Sequence, residues 1–441
     1  MRVEIIGGGL AGSEAALQLA RLGVPSRLWE MRPATPTPAH RTDLLGELVC
    51  SNSFKTTDPE NAHGLLKAEL DRLGCRLLEI AREARIPAGS ALGVDRERFA
   101  ALVTEAVGAE PQIEVVREER TTLDPDVPTI VATGPLTSDA LSARIGEVLG
   151  EDHLAFFDAI SPIVARDSLA EGGHWAASRY GKGGDDYLNC PLDAPTYESF
   201  IDGLLTAELY PLQDFERKVM FFEGCLPIEE MARRGRETLR FGPMKPVGLP
   251  DPRTGREAHA VLQLRKENAE GTMYNLVGCQ TRLRYGDQKR VFGIVPALAG
   301  AEYLRMGQVH RNTFLSHPVA LDPWGRPRDG WPVLFFAGQL TGVEGYVESI
   351  MSGLMAAWNL ARVLSGEEPA LPPPESMIGG LYRYLREADP GSFQPMNANF
   401  GLVPPARIRG GKRARRAIQS ARALEALEAW RVSALPAPVA A

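Results

Sequence analysis

Three glycines near the start of the chain have the spacing of a dinucleotide-binding turn. Gly7, Gly9 and Gly12 form a G-x-G-x-x-G pattern between the strand-like residues 2–6 and a helical pattern that begins at Ser13. The first glycine permits a tight bend, the second lets the backbone approach a pyrophosphate, and the third lets helix and strand pack closely. The helix N-terminus offers N–H groups to the phosphates. The expected contacts of this turn are Gly7, Gly8, Gly9, Leu10, Ala11 and Gly12.

An acidic residue lies where the ribose of such a nucleotide would bind. Glu30 closes the second predicted strand, 26–31, and stands 18 residues after Gly12. Its carboxylate can accept hydrogen bonds from a ribose diol, and it would repel the 2′-phosphate of NADP. The position therefore favours FAD or NAD.

Two further segments distinguish between these cofactors. Residues 132–134 (Ala-Thr-Gly) end a compact apolar strand, and residues 338–339 (Gly-Gln) follow another strand and precede a helix rich in small residues. Proteins that bind FAD in this way bring backbone to the nucleotide and ribityl chain at such points, where glycine permits close approach. The chain has no second G-x-G-x-x-G for a resident nicotinamide. The sequence therefore predicts FAD, with contacts from Thr133, Gly134, Gly338 and Gln339.

Two cysteines are candidates for nucleophilic chemistry. Cys225 lies between Gly224 and Pro227, just ahead of a predicted helix, and the helix dipole lowers the pKa of a thiol there. Cys50 lies in an apolar stretch that ends in helix-capping residues. An inert buried thiol is the alternative for both, and no spacing argument shows that the two meet. The remaining cysteines are interpreted as structural: Cys75, Cys190 and Cys279.

Composition narrows the class of protein. The 441 residues are 44% hydrophobic and 24% charged, as in globular proteins, and the length suggests two or three domains. Five cysteines without a C-x-x-C pair argue against a disulfide framework and a structural zinc site, so we expect no metal. We also expect no membrane helix and no secretory signal, and therefore a reduced, cytoplasmic protein.

A basic segment stands out on a chain whose formal net charge is −7. Between residues 407 and 416, six of ten residues are basic and none is acidic. Such a run is usually a solvated face, and contact with a polyanion is the alternative. The six residues are Arg407, Arg409, Lys412, Arg413, Arg415 and Arg416.

The elements that must position these residues alternate between strand and helix. Strands are predicted at 2–6, 26–31, 129–132 and 333–337, and helices at 13–22, 61–84, 95–107, 194–211, 227–234, 347–364 and 412–431. A strand–turn–helix–strand unit begins a parallel sheet. We therefore expect an α/β fold: an FAD-binding Rossmann-like domain of the glutathione-reductase type, assembled from both ends of the chain, with an inserted α+β domain. The expected divisions are 1–190 and 313–405 for the FAD-binding domain, 191–312 for the insertion, and 406–441 for a basic helix and tail.

Together these motifs resemble the FAD- and folate-dependent tRNA (uracil-5-)-methyltransferases, which make ribothymidine in the T loop. The match follows the order of the chain over nearly all of residues 1–405. Beyond the N-terminal glycines it is carried by segments 30–33, 48–53, 179–181, 186–191, 221–225, 241–249, 310–313, 342–346 and 393–396. The chain departs from the expected pattern with glycine for alanine at Gly8 and Gly224, and with Cys279 in place of phenylalanine.

The resemblance implies a reaction and assigns roles in it. Methylenetetrahydrofolate would donate the one-carbon unit, reduced FAD would pass it on and supply a hydride, and NADPH or NADH would be the reductant. Cys225 would add as a thiolate to uracil C6 and make C5 nucleophilic. Cys50 would act as the base or on the flavin side. His310 would stack the folate pterin, with a packing role as its alternative.

The resemblance also implies further contacts. Arg32, in segment 30–33, is expected at the cofactor, and Tyr346 near the flavin ring or in the core. The target base would be flipped out of the tRNA loop to reach Cys225. The basic segment 407–416 would contact phosphates, together with Arg282, Arg284, Lys289 and Arg290.

Three other functions remain as alternatives. A related flavin- and folate-dependent enzyme that modifies wobble uridine shares the fold, but its longer C-terminal domain has no room here and its cysteine context differs. A flavin oxidoreductase acting on a small molecule would not need the two cysteine motifs or the basic segment. A tRNA-binding module that keeps FAD only structurally would not need Cys225.

Overall fold

A five-stranded parallel sheet forms the centre of the FAD-binding unit predicted from the sequence. The computed structural model describes residues 2–37, 39–150, 154–210, 226–406 and 411–436, without the side chains of 154–160, 308–312, 392 and 412. The strands of this sheet are β1 (Val3–Ile6), β2 (Ser26–Trp29), β6 (Ile113–Val116), β7 (Thr129–Val131) and β16 (Leu334–Phe336). Their spatial order is β16-β7-β1-β2-β6, so the sheet is assembled from both ends of the chain, as expected.

Helices bury their apolar faces against this sheet and against one another. They are α1 (Leu10–Arg21), α2 (Ala62–Arg72), α3 (Arg76–Glu83), α4 (Arg96–Gly108), α5 (Asp139–Leu149), α11 (Tyr346–Leu364), α12 (Met377–Glu387) and α13 (Lys412–Ala434). Helices α1 and α11 approach each other closely, since a Cβ on Gly353 would lie 2.1 Å from the Ala11 carbonyl oxygen. The side chain of Trp358 on α11 donates to Gln18 Oε1 on α1 at 3.2 Å. Helix α11 therefore determines where the N-terminus of α1 lies.

The single helix predicted over residues 61–84 is wrong, because the structure divides it into α2 and α3. Gly74 adopts a φ of +72° between them, which breaks the helical hydrogen bonding. Glu14 on α1 then accepts hydrogen bonds from the amides of Arg76 and Leu77, at 3.1 and 2.8 Å, and so caps the start of α3. The cap comes from a residue distant in the chain, which periodicity within 61–84 does not reveal.

A six-stranded antiparallel sheet forms the second unit. Its spatial order is β10 (Trp175–Ala176), β11 (Tyr187–Leu192), β12 (Ala260–Lys266), β13 (Met273–Leu276), β9 (Ile163–Ala165) and β14 (Tyr303–Arg305). The helices packed on it are α6 (Ala194–Thr206), α7 (Ile228–Arg234), α8 (Thr238–Phe241) and α9 (Tyr285–Phe292). The expected boundary at residue 190 falls inside β11, and β9 and β10 precede it. We therefore propose that the inserted unit begins earlier, near residue 161.

Two small antiparallel sheets complete the fold. One contains β3 (Ser53–Thr56), β5 (Ala91–Val94) and β4 (Arg85–Ile86), and the other pairs β8 (Leu154–Ile160) with β15 (Gln308–Phe314). A short helix, α10 (His317–Ala320), follows β15 and contacts α12. Among the described helices, none combines the length and apolar character needed to cross a membrane.

Helix α13 packs against the FAD-binding unit with a face that partly matches the apolar pattern of its sequence. That pattern predicts one side formed by Ala417, Ala421, Leu424, Leu427 and Trp430. Leu427 is buried, and Leu424 and Trp430 pack against the core, whereas Ala421 is exposed. The other buried residues of the described helix are Gln419, Ser420, Ala423 and Ala434. The Ser420 hydroxyl donates to the Pro59 carbonyl, in the segment before α2, at 2.7 Å.

Candidate active site

A cleft of about 1010 Å³ lies at the carboxyl ends of the parallel strands. In an open parallel sheet, ligands bind at this edge, where the strand order reverses on either side of the first strand. The predicted cofactor contacts that line the cleft are Gly7, Gly8, Gly9, Leu10, Ala11, Glu30, Arg32, Thr133, Gly134, Gly338, Gln339 and Tyr346. Gly12 is not part of this lining. A Cβ there would lie 1.9 Å from the Gly7 carbonyl oxygen, so Gly12 lets α1 pack against the turn.

The turn after β1 has the shape that a pyrophosphate requires. Gly7 has a φ of +107°, and a Cβ on it would lie 2.6 Å from the Ala132 carbonyl oxygen. By contrast, a Cβ on Gly9 would meet no described atom within 4 Å, so it would project into the cleft. Among the described residues, no side chain caps α1 at Gly9 and no acidic residue occupies its first turn. The first amides of α1 are therefore available to an anionic group.

Glu30 is held as a carboxylate at the end of β2. Its Oε1 accepts from the Arg32 amide and Arg32 Nε, at 3.0 and 2.9 Å, and its Oε2 accepts from the Gly8 amide at 3.0 Å. Burial opposes ionisation, but the hydrogen bonds and charge of Arg32 and the Gly8 amide outweigh it and lower the pKa of Glu30. A carboxylate oxygen can accept two hydrogen bonds, so Oε2 retains capacity for a ribose hydroxyl. The residues present thus fit FAD.

Arg32 orients Glu30 rather than lying free in the cleft. Its side chain is almost fully buried and also pairs with Glu47, whose Oε2 lies 3.1 Å from Arg32 Nη1. Arg32 further donates to the carbonyls of Thr42 and Leu44. We therefore assign it to the wall of the cleft.

Sequence reasoning missed part of the cleft. Residues 118–120 line it because they follow β6, a strand that we did not predict from the sequence. The other missed positions are Ile6, Trp29, Met31, Thr37, His40, Glu47, Val49, Leu141, Ser349 and residues 135–138. Placing β6 would have indicated residues 118–120, since ligand contacts lie at carboxyl ends of parallel strands. Of the others, Trp29 ends β2, Leu141 lies on α5 and Ser349 lies on α11, whereas most of the remainder lie in irregular segments.

The hydroxyl of Tyr346 holds the turn that carries Cys50. It accepts hydrogen bonds from the amides of Cys50 and Ser51 and donates to the Ser51 carbonyl, each at 2.9 Å. Burial and the neighbouring Cys50 raise the pKa of Tyr346, so its phenol stays protonated at neutral pH. Tyr346 also lines the cleft, as does Val49. One side chain thus connects the expected cofactor site to Cys50, which is partly exposed.

Two arginines hold the carbonyl groups that precede Cys50. Arg96 donates to the Leu48 carbonyl and pairs with Glu267 at 2.8 Å, while Arg305 Nη2 donates to the Val49 carbonyl at 3.0 Å. Burial, followed by the charges of Arg96 and Arg41, lowers the pKa of Arg305 to about 10, so it remains cationic at neutral pH. These arginines line a second cavity of about 1280 Å³ on this side of the loop.

The segment after Cys50 is held by the antiparallel sheet. Arg265 on β12 donates to Asn52 Oδ1 at 2.9 Å and lies 3.5 Å from the Ser51 hydroxyl. Asn52 in turn donates to the carbonyls of Val94 and Lys266, at 3.0 and 2.8 Å. The Cys50 loop is therefore held by both units of the fold.

The cysteines interpreted as structural are fully buried. Burial raises the pKa of Cys190 to about 12 and that of Cys75 and Cys279 well above the ordinary range. These three thiols are therefore protonated and shielded at neutral pH. Cys279, which replaces a phenylalanine in the resemblance, lies in the apolar core of the inserted unit.

The predicted nucleophile and the predicted folate contact lie wholly or partly outside the described residues. Cys225 lies outside the described residues. His310 lies on β15, opposite Asp158, and its side chain is outside the description. The backbone of β15 contacts the turn 134–136 and the turn 339–341, both of which contribute to the cleft. Within the described ranges, no cluster of His, Cys, Asp or Glu could hold a metal ion.

The predicted tRNA contacts fall into two groups, one on each unit. On the inserted unit, Arg282 pairs with Glu230 and is mostly buried, whereas Lys289 is exposed. Arg284 pairs with Glu208 and Arg290 pairs with Asp287, although both arginines remain about half exposed.

On α13, Arg413 and Arg415 are exposed, and Arg416 lies 5.3 Å over the ring of Phe400. Arg413 also pairs with Glu60 at 2.6 Å. Arg407 and Arg409 lie outside the described residues, as does the side chain of Lys412.

Comparison with known proteins is consistent with this geometry. The profile of the GIDA family, glucose inhibited division protein A, matches residues 2–368. In solved structures, GidA of Aquifex aeolicus in its form I crystal has a TM-score of 0.69 at 18% identity. That match covers 97% of this chain and 76% of the other, and it supports the fold alone.

Much closer relatives carry the name methylenetetrahydrofolate–tRNA-(uracil-5-)-methyltransferase TrmFO. The one from Geobacter sulfurreducens is 55% identical over 429 residues, which cover 97% of this chain and 98% of the relative. The one from Rubrobacter xylanophilus is 55% identical over 446 residues, covering 100% of this chain and 99% of the relative. The chain therefore belongs to the TrmFO family of methylenetetrahydrofolate–tRNA-(uracil-5-)-methyltransferases, within the glucose inhibited division protein A family.

Proposed function

We propose that this chain methylates C5 of a uracil in tRNA, with methylenetetrahydrofolate as the one-carbon donor and FAD as its resident cofactor. The observation that carries the proposal is the 55% identity to TrmFO relatives over essentially the full length of both chains. The cleft supports it, because its glycine turn and Glu30 fit a flavin dinucleotide. Bound FAD, in its reduced form, would supply the hydride and the carrier for the one-carbon unit.

The chain's own residues bind and orient the reacting groups. The first amides of α1 hold the pyrophosphate, and Glu30 holds the ribose of the nucleotide. Tyr346 holds the Cys50 turn at the edge of the same cleft, through three hydrogen bonds of 2.9 Å. Because Tyr346 lines the cleft and binds the Cys50 amide, we propose that the Cys50 thiol acts beside the cofactor, as a base or on the flavin side.

Cys225 is our proposed nucleophile. A thiolate adds to C6 of uracil, which gives C5 the electron density to attack the one-carbon unit. Three of the other cysteines are buried with raised pKa values, which leaves Cys50 as the alternative source of a thiolate. His310 is proposed to stack the folate pterin, because its strand contacts two turns of the cleft.

The substrate is proposed to be the T-loop uridine, and the reductant NADPH or NADH. Phosphate contacts are proposed on α9 and in the basic segment 407–416, where Lys289, Arg413 and Arg415 are exposed. Arg282 contributes least to this surface, because it is mostly buried against Glu230. A chain that modifies tRNA and uses reduced folate and nicotinamide is proposed to act in the cytoplasm.

Transfer of labelled carbon tests the reaction and the target together. The holoenzyme is incubated with labelled methylenetetrahydrofolate, NADPH or NADH, and an unmodified tRNA transcript. We expect label in ribothymidine at the T loop, and none in a transcript whose T-loop uridine is replaced by cytidine. Label at the wobble position would contradict the proposed target, and label in no nucleotide would contradict the proposed reaction.

Cysteine variants test the proposed roles. Cys225→Ala should lose methylation and keep its bound FAD, because a thiolate is required for addition to C6. Cys50→Ala should also keep FAD, since Cys50 holds Tyr346 only through its backbone amide. Wild-type activity in Cys225→Ala would eliminate it as the nucleophile. Gly300→Ala is the control, because its added Cβ would meet no described atom within 4 Å and Gly300 lies outside both the cleft lining and the proposed phosphate contacts.

A further inference from the structure

Tyr180 is an exposed aromatic residue held in an unusual backbone conformation. Its φ of 58° and ψ of 23° lie in the left-handed region, which non-glycine residues with bulky side chains rarely adopt. Its side chain is nonetheless 58% exposed, so burial of the ring does not account for the conformation. The ring lies against the backbone of Gly248, where an added Cβ would be 2.5 Å from two ring carbons. The ring is thus supported on one side by backbone.

Hydrogen bonds hold the backbone and side chain that carry this ring. The Tyr180 amide donates to the Gly248 carbonyl at 2.9 Å, and the preceding Arg179 donates to the Val247 carbonyl. Arg179 Nη2 also donates to Gln263 Oε1 on β12 at 3.2 Å. Gln263 in turn donates to the fully buried Asn189 at 2.9 Å. The ring of Tyr180 is therefore exposed, while its backbone is held in place by hydrogen bonds.

The same strand connects these hydrogen bonds to the Cys50 loop. Gln263 and Arg265 are two residues apart on β12, so their side chains share one face of the sheet, about 7 Å apart. Gln263 binds Arg179 beside Tyr180, whereas Arg265 binds Asn52 and approaches Ser51 beside Cys50. Strand β12 therefore supports both Tyr180 and the Cys50 loop from the same face of the sheet.

The chemistry of this surface suits an unpaired nucleobase. An aromatic ring offers stacking to any base, and loops of RNA are recognised mainly by stacking their splayed bases on such rings. Three basic residues lie in the loops around the ring, Arg179, Lys182 and Lys245, and three acidic residues lie there too, Asp185, Asp186 and Glu257. Stacking, rather than a net positive charge, is therefore the contact that this surface offers.

We propose that Tyr180 is a stacking platform for a loop nucleobase of the tRNA substrate, next to the uracil that is methylated. This inference rests on the proposed function, since it needs a tRNA substrate. Tyr180 binds and orders the RNA and takes no part in bond making. The left-handed backbone at Tyr180 directs the ring outwards so that its free face meets the base.

Variants at Tyr180 test the platform without disturbing the fold. Tyr180→Asn removes the ring and keeps a residue that tolerates the left-handed conformation, and Tyr180→Phe keeps the ring. Removing one base–aromatic stack is expected to raise the Kd for an unmodified T-arm RNA roughly 5- to 150-fold in Tyr180→Asn. Tyr180→Phe should bind within about twofold of the wild type. Phe241→Ala is the control, because it removes another exposed ring (78% exposed), and it should also bind the RNA within about twofold of the wild type.

Single abasic substitutions in the RNA loop identify the stacked base. One abasic position is expected to weaken binding to the wild type and to have little further effect in Tyr180→Asn. The melting temperature, FAD content and KM for methylenetetrahydrofolate should be unchanged in Tyr180→Asn. A raised KM for folate with unchanged RNA affinity would overturn the proposal in favour of a folate contact.

The outcomes separate this inference from the proposed function. If the wild type methylates tRNA but Tyr180→Asn binds the RNA with wild-type affinity, the platform is refuted and the function stands. If the wild type neither binds nor methylates tRNA, both are refuted.

Discussion

Gly9→Ala is expected to weaken FAD binding without lowering the stability of the apoprotein. Gly9 has a φ of −76° and a ψ of −164°, an extended conformation that alanine adopts freely. The added Cβ would meet no described protein atom within 4 Å, so it causes no clash within the chain. Replacing glycine by alanine at a compatible position stabilises a protein by about 0.4–1 kcal/mol, because the unfolded chain loses freedom. We therefore expect the apoprotein to fold at least as stably as the wild type.

The same Cβ occupies the space through which a pyrophosphate would approach the amides of α1. A hydrogen bond to a charged group contributes about 1.5–3 kcal/mol, so losing even one raises the Kd for FAD about 10- to 150-fold. The assay is titration of apoprotein with FAD, followed by flavin fluorescence, with the melting temperature of the apoprotein measured in parallel. Gly108→Ala is the matched control. Its Cβ also meets no described atom within 4 Å, and Gly108 ends α4 away from the cleft lining.

Two results would refute this reasoning. Wild-type affinity for FAD in a folded Gly9→Ala variant would mean that the pyrophosphate does not approach Gly9. A lowered melting temperature of the apoprotein would mean that the space around Gly9 is filled by protein. Gly353→Ala provides the contrasting case, because its Cβ would lie 2.1 Å from the Ala11 carbonyl and should lower both stability and FAD affinity.

Three further predictions concern single side chains. Tyr346→Phe leaves two amides of the Cys50 turn without their acceptor, which costs about 1–3 kcal/mol for each amide. The kcat for methylation should therefore fall roughly tenfold or more, while bound FAD is retained. An unchanged kcat would contradict the role of this hydroxyl. Glu69 accepts hydrogen bonds from the amides of Met377 and Ile378 at the start of α12, at 2.7 and 2.9 Å. Glu69→Gln turns an NH₂ towards one of these N–H groups, so the free energy of unfolding in denaturant titrations should fall by about 1–3 kcal/mol. An unchanged denaturation midpoint would contradict this prediction. Burial lowers the pKa of His317 from 6.5 to about 4. Between these pH values the unfolded chain binds more protons than the folded one. The free energy of unfolding therefore decreases as the pH is lowered, by up to about 3 kcal/mol from this group. His317→Asn should flatten that fall in a series of melting curves, and an equally steep decline would assign it to other groups.

The nucleotide turn could be predicted because its determinants are close together in the chain. The strand β1, the glycines that follow it and Glu30 lie within the first 30 residues, and each acts through local backbone geometry. Alternating strand and helix patterns at both ends of the chain likewise predicted the α/β class, which the structure confirms. The extent of the inserted unit was harder to predict, because short strands such as β9 and β10 carry little periodicity.

Long-range contacts decided what surrounds Cys50. The side chains that hold its loop are Arg96, Arg265, Arg305 and Tyr346, and the last three follow it by more than 200 residues. Each acts on backbone groups or on short polar side chains, and neither spacing nor periodicity indicates such pairings. The break between α2 and α3 has the same origin, because its cap, Glu14, comes from another helix.

The sequence by itself therefore determined the cofactor turn, the fold class and the family, since these depend on local geometry and on the order of motifs. Only the tertiary structure decided which residues hold Cys50 and that the ring of Tyr180 is exposed. The physical reason is that a buried hydrogen bond depends on where two distant segments meet in space. That meeting is a property of the packed fold rather than of either segment.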